Sequence, residues 1–247
     1  MEDFLFDEAI RLNPDDAEAY FNRGALKSDL GRMEEALLDY DEAIRLDPNY
    51  ANAYINRGNL KSALGRKEEA LLDFDEAIRL DPNDAKAYYN RGNVNNALGR
   101  KQEALLDYDE AIRLDSNYAK AYCNRGAVKS DLGRNEEALV DFKEAIRLDP
   151  NYATAYYNQG AVKSSLGREE EALVDFNEAI RLDPEYVEAY YNLACLHAKR
   201  GDLAMMETNL ALAITLDPEC RLLALDDSDF KNVCTTPEFL RAIGNSE

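Results

Sequence analysis

Tryptophan is absent from these 247 residues, histidine occurs once and cysteine only four times. One imidazole cannot supply the usual zinc ligand sets. Cys123, Cys195, Cys220 and Cys234 stand far apart without a CxxC pair, so reduced thiols are expected rather than a metal site or a disulfide framework. Positive charge is scarce as well: 29 Lys and Arg face 49 Asp and Glu, a net charge of −20. Phosphate backbones are held mainly by clustered Lys and Arg, so nucleic acid is not an expected partner, and anionic membrane surfaces are disfavoured on the same ground. No stretch approaches the run of about 18 apolar residues needed to cross a bilayer. The N-terminus, MEDFLFDEAIRLNP, has neither a basic n-region nor a cleavage pattern. A soluble, cytoplasmic protein is expected. No glycine-rich phosphate loop occurs, since the glycines recur in NRG and LGR contexts, and no cofactor is indicated.

What is abundant is repetition. With 46% hydrophobic and 32% charged residues the chain can build a core, and its acidity marks a solvated surface rather than disorder. The segment at 17-50 recurs at 51-84, 85-118, 119-152, 153-186 and, more loosely, 187-220, always 34 residues on. Alanine followed by tyrosine marks each copy (Ala19-Tyr20, Ala53-Tyr54, Ala87-Tyr88, Ala121-Tyr122, Ala155-Tyr156, Ala189-Tyr190), and no insertion shifts the register. The pattern predicts two helices per copy. The first runs from about Ala17 to Leu30 and ends at Gly31, since glycine accepts the left-handed conformation that closes a helix. In the second, Ala36, Tyr40, Ala43 and Ile44 form one apolar stripe. Asp47, Pro48 and Asn49 then end it, with Asp or Asn expected to cap the next helix. Such short connections make the two helices pack antiparallel.

In the second copy Tyr54, Gly58, Leu64, Gly65, Ala70, Phe74, Ala77 and Pro82 resemble the signature of the tetratricopeptide repeat (TPR), a helix-turn-helix unit of about 34 residues. The resemblance covers 17-220. It implies an all-α, right-handed TPR superhelix (α-solenoid) of six full repeats that acts as a non-catalytic protein-protein interaction scaffold. Pentatricopeptide repeats, RNA binders of similar period, fit this acidic chain less well. Residues 1-16 match the second helix of a further repeat, with Phe6, Ala9 and Pro14 in place and an apolar face that includes Phe4, Leu5 and Ile10. The sixth repeat degenerates, with Ala194 for Gly, Arg200 for Leu and Met206 for Ala. In 221-247 the apolar Leu222, Leu223, Leu225, Phe230, Phe239, Leu240 and Ile243 predict short capping helices, and DDSDF followed by PEF looks like the tail that closes some bacterial-type TPR arrays.

The resemblance places positions 2, 5, 6, 9, 12 and 13 of each repeat, counted from Ala17 in the first, on or near a concave groove. Position 6 is asparagine throughout: Asn22, Asn56, Asn90, Asn124, Asn158 and Asn192. Such a row is able to pair with the backbone of an extended peptide, and hydrogen bonding between neighbouring repeats is the competing role. Tyr89, Tyr157 and Tyr191 at position 5 are candidate anchors, with inter-repeat packing as their alternative; Asn59 and Asn93 at position 9 join the candidate site. The dicarboxylate clamp of chaperone-binding TPR domains is not reproduced, because Ile55, Asn59, Asn90, Lys120 and Asn124 lack two of its cations. Near-identical repeats argue for binding distributed along the chain rather than for catalysis, which needs different groups converging in one place. His197 and the cysteines have no partners in the pattern that would activate them. Arg23, Arg57, Arg91 and Arg125, four residues before a position that is mostly lysine, with Asp39, Asp73, Asp107, Asp141 and Asp175 on the second helices, suggest an exposed charge ladder that fixes register, or else a basic ligand stripe. Self-association through the open N-terminal helix or an acidic convex face is the alternative function.

Overall fold

A computed structural model describes residues 2-244, with side chains from residue 5 onward. Among these every regular element is helical. Helix α1 (Glu2–Leu12) is followed by five pairs of first and second helices: α2 (Ala17–Asp29) with α3 (Met33–Leu46), α4 (Ala51–Ala63) with α5 (Lys67–Leu80), α6 (Ala85–Ala97) with α7 (Lys101–Leu114), α8 (Ala119–Asp131) with α9 (Asn135–Leu148), and α10 (Ala153–Ser165) with α11 (Glu169–Leu182). The sixth pair is α12 (Val187–Arg200) and α13 (Leu203–Leu216), followed by α14 (Cys220–Asp226), a 3-10 turn (Ser228–Phe230) and α15 (Pro237–Ala242). Two compact bodies divide the chain, 1-128 and 129-247. Within each, a first helix packs on the second helix of its own repeat and on that of the repeat before, as α4 does on α5 and α3, and α10 on α11 and α9.

Each first helix ends as its glycine predicts. Gly31 has φ +75°, its N–H donates to the Ser28 carbonyl at 2.9 Å, and the Arg32 N–H donates to that of Lys27 at 2.8 Å, the paired bonds of a Schellman closure. Helices α3, α5, α9 and α11 begin without side-chain caps, but the arginine before each pairs with a glutamate three residues on, as in Arg66–Glu69, whereas Asp202 caps α13 by accepting the Met205 N–H. Acidic first turns such as Glu34 and Glu35 suit the positive end of the helix dipole. The inter-repeat turn differs from expectation. Asp47 Oδ1 accepts the N–H of Asn49 at 2.9 Å, closing the turn locally, and the residue preceding α4 is Tyr50, which makes no side-chain cap. A true aspartate cap occurs at Asp16 and Asp84.

The core follows the small-large alternation of the repeat. Ala36, Tyr40 and Ala43 of α3 are buried, as are Ala172, Phe176 and Ala179 of α11. The aromatic ring lies against the position-8 glycine: a Cβ on Gly92 would stand 2.8 Å from Tyr108 Cε1. At the C-terminal end Phe230, Phe239 and Ile243 are buried with Met206 and Leu210 of α13, whereas Leu222, Leu223 and Leu225, expected to help cap the array, are exposed. At the other end Leu5 is 66% exposed, Ile10 is half-buried, and the side chain of Phe4 lies outside the described residues.

Candidate functional site

Position 6 places all six asparagines half-buried on the first helices. Their hydrogen bonding is not uniform. Asn124 Nδ2 donates to Tyr89 Oη at 3.1 Å and to Asn93 Oδ1 at 2.8 Å, and Asn93 Oδ1 also accepts from the Tyr108 hydroxyl at 2.8 Å. Asn192 Nδ2 donates to Tyr157 Oη at 3.2 Å, Asn56 lines one pocket with Tyr40, and Asn158 is engaged as well. For Asn22, Asn59 and Asn90 no side-chain hydrogen bond occurs among the described residues. The asparagine row therefore serves repeat-to-repeat bonding at Asn124 and Asn192, where a position-5 tyrosine of the preceding repeat offers its hydroxyl.

The position-5 aromatics are shared with the packing in the same way. Tyr89 lies 4.8 Å from Tyr118, centroid to centroid, and Tyr157 stacks on Tyr186 at 4.9 Å. Tyr191 meets Phe230 edge-on, and its hydroxyl donates to Asp227 Oδ2 at 2.9 Å. Burial pushes the Tyr108, Tyr157 and Tyr191 hydroxyls above their ordinary range and that of Tyr118 up to about 12, so all four remain neutral near pH 7. Between the first two repeats the same face opens into a pocket of about 300 Å³, walled by Ala25, Asp29, Tyr40, Asn56 and Asn59 among others.

The charge ladder is buried, not exposed. Arg57 Nε and Nη2 grip both oxygens of Asp73 at 3.0 and 2.6 Å, its Nη1 reaches Asp41 of the preceding repeat at 2.6 Å, and its guanidinium lies over the Tyr54 ring at 5.4 Å. Lys61 completes the set on Asp73 at 2.7 Å, and the Asp73 side chain is only 4% exposed. Arg23 repeats this with Asp39 and Asp7, and Arg91 with Asp107 and Asp75. These cations are consumed within the array, which leaves no basic ligand stripe there. The aspartate two residues beyond each buried one (Asp41, Asp75, Asp109) escaped the sequence reading. Its signal is a paired change: where Gln159 replaces the arginine, the preceding repeat carries Lys143 in place of that aspartate. There Lys163 Nζ approaches Asp175 Oδ2 at 2.7 Å, in a direction that leaves that oxygen without a well-aligned hydrogen bond. Burial pushes the Asp175 carboxyl above the usual range, opposed by Lys163.

Among the described residues Cys195, Asp227 and Asp229 form the one cluster of metal-ligand type. Its members have structural employment: Asp227 Oδ1 accepts the Asp229 N–H at 2.9 Å, and Lys199 pairs with Asp229 at 2.8 Å. Burial, then the neighbouring carboxylates, push the Cys195 thiol up, against thiolate chemistry. His197 Nδ1 lies 3.4 Å from Asp202 at the end of α12.

Comparison with known proteins gives matches along the chain. A "TPR repeat" family profile matches 27–65, 128–167 and 160–201, and profiles described as "Tetratricopeptide repeat" match 5–37, 55–119 and 187–220. No curated protein sequence matches. Among solved structures the chain is similar to YrrB, described as a TPR protein with an unusual peptide-binding site, at 32% identity over 79% of this chain and 97% of that one, TM-score 0.61. It is similar to MamA at 26% identity over 67% of this chain and 96% of that one, TM-score 0.60. PilF of Pseudomonas aeruginosa shares the fold at 18% identity over 85% of this chain and 97% of that one, TM-score 0.75.

Proposed function

The chain belongs to the tetratricopeptide repeat family, and from that premise we propose that it is a non-catalytic scaffold that binds an extended peptide segment of a partner protein along its first helices. The observation that carries this reading is the contrast between the helix faces. On the second helices the charges are paired with one another, as in Arg45–Glu42 and Arg79–Glu76. On the first helices Asn22, Asn59 and Asn90 present amide groups not used by the described residues, and Asn59 lines a pocket of about 300 Å³. Amides pair with the backbone of an extended peptide without demanding a particular side-chain sequence. A net hydrogen bond contributes about 0.5–1.5 kcal/mol, so the amides alone give weak binding, and selectivity comes from pockets between them.

The test is partner capture by the intact chain and by an Asn22, Asn59 and Asn90→Ala variant of equal helicity. Partners held by the first and lost by the second support the reading; equal capture refutes it. A second reading, self-association, draws on α1. There Leu5 occupies the position of the buried aspartates and is 66% exposed, and Phe6 and Ala9 are half-buried where Tyr40 and Ala43 are fully buried. Dimerisation abolished by Leu5→Glu in sedimentation would favour it.

A further inference from the structure

The repeats are close enough copies that one of them displays what another has left out. In the third repeat Asn93 at position 9 fills the space between its own Tyr108 and Asn124 of the next repeat, and its carbonyl oxygen takes a hydrogen bond of 2.8 Å from each. Only the first repeat has the same frame: Tyr40 corresponds to Tyr108 and Asn56 to Asn124, whereas the second, fourth and fifth carry Phe74, Phe142 and Phe176 in place of that tyrosine. The residue corresponding to Asn93 is Ala25, with no carboxamide. The pocket of about 300 Å³ opens there, and Ala25, Tyr40 and Asn56 all line it.

The two donors remain. Tyr40 is 2% exposed, and its hydroxyl faces the Asn56 side chain across the pocket that both line. Asn56 has also lost an acceptor, because Phe21 stands where Tyr89 offers its hydroxyl to Asn124. Its amide carries two N–H donors, so it has capacity for a carbonyl oxygen in the pocket. A carboxylate would meet the same donors but also Asp29, an exposed acid on the pocket wall, in a chain of net charge −20. A neutral amide avoids that repulsion.

We infer that the pocket at Ala25 is a side-chain specificity site that accepts the carboxamide of a glutamine or asparagine from a bound peptide, in the place Asn93 takes two repeats later. This rests on the proposal that the first-helix face binds peptides, and it names the side chain selected there. A site built to hydrogen-bond a polar group discriminates against analogues lacking it, because its own buried groups are then left unpaired.

The experiment uses the full-length chain and an array of seven-residue peptides, randomised except for a central Gln, Asn, Glu, Met or Lys. Gln and Asn peptides are expected to be retained over the Met and Glu sets by about fivefold, the scale of one net hydrogen bond. Ala25→Asn, which supplies the carboxamide internally, is expected to abolish that preference and to raise the thermal midpoint. Tyr40→Phe is expected to weaken the preference. Peptide binding without an amide preference, an amide preference that survives Ala25→Asn, or an Ala25→Asn chain that unfolds or melts earlier would each overturn the inference while leaving the groove reading intact. Failure of the intact chain to retain any peptide would overturn both.

Discussion

At the scale of single residues, the repeated triad of Arg, Lys and buried Asp is the firmest electrostatic feature, and the fifth repeat shows what happens when it is incomplete. The Asp175 side chain is 8% exposed and has Lys163 but no guanidinium, because Gln159 replaces the arginine. Its carboxyl is raised by burial, so the folded chain holds that proton more tightly than the unfolded one, whose carboxyl titrates near ~3.9. The resulting penalty is absent at a pH below the unfolded value, grows as pH rises through the folded value, and is complete above it. Restoring the pattern with Gln159→Arg and Lys143→Asp together is expected to raise stability at pH 7 by about 1–3 kcal/mol, the range of hydrogen bonds to charged groups. The gain should shrink as the carboxyls protonate. Urea midpoints at pH 7 and pH 4 check this, and an equal gain at both would show that the charge is not the cause. The recurrence of Arg, Lys and Asp was legible in the sequence. Their burial was not, because spacing gives a face of the helix and not its depth, and an exposed ladder worth little was expected where Asp73 is in fact enclosed.

At the scale of helices, close packing is controlled by glycine and an aromatic ring in contact. Gly92 admits Tyr108 with no room for a methyl group, since a Cβ would approach the ring to 2.8 Å. Gly92→Ala is expected to destabilise the chain by about 1–3 kcal/mol through overpacking, read as a lower denaturant midpoint at constant slope. A loss below about 0.5 kcal/mol would mean that the helix pair spreads freely. Helix positions and the left-handed closures were legible because every repeat restates them and glycine at Gly31 or Gly65 has one conformational reason to recur. The caps were not. Asp47 is of the capping type, but its side chain reaches the nearer Asn49 N–H and closes the turn, leaving Tyr50 before the next helix. In the next turn both bonds form, because Asp81 accepts the Asn83 N–H while Asp84, directly before the helix, accepts that of Lys86.

At the scale of the whole chain, the all-helical repeat fold was legible from the 34-residue register kept through 17-220, and the family from the resemblance carried by residues such as Gly58, Gly65, Ala70, Phe74 and Pro82 within it. The role of the asparagine row was legible only as a choice between ligand binding and repeat-to-repeat bonding. The structure divides it by neighbour: Asn124 and Asn192 bond to Tyr89 and Tyr157 of the preceding repeats, whereas Asn90 faces a repeat that offers Ile55 and Phe74, with no hydroxyl. Which asparagines are used depends on residues a full repeat away, so no single repeat reveals it. No described helix is long and apolar enough to cross a membrane, and the family points to protein partners. The surfaces that compete for them are the first helices with their amides and the second helices, where Leu72 and Leu106 are about 70% exposed. Hydrogen exchange of the intact chain with and without the peptide best retained on the array separates the two. Added protection concentrated in α2, α4 and α6, with α3, α5 and α7 unchanged, is the expected result; protection on the second helices instead would contradict the assignment of the first-helix face as the binding surface.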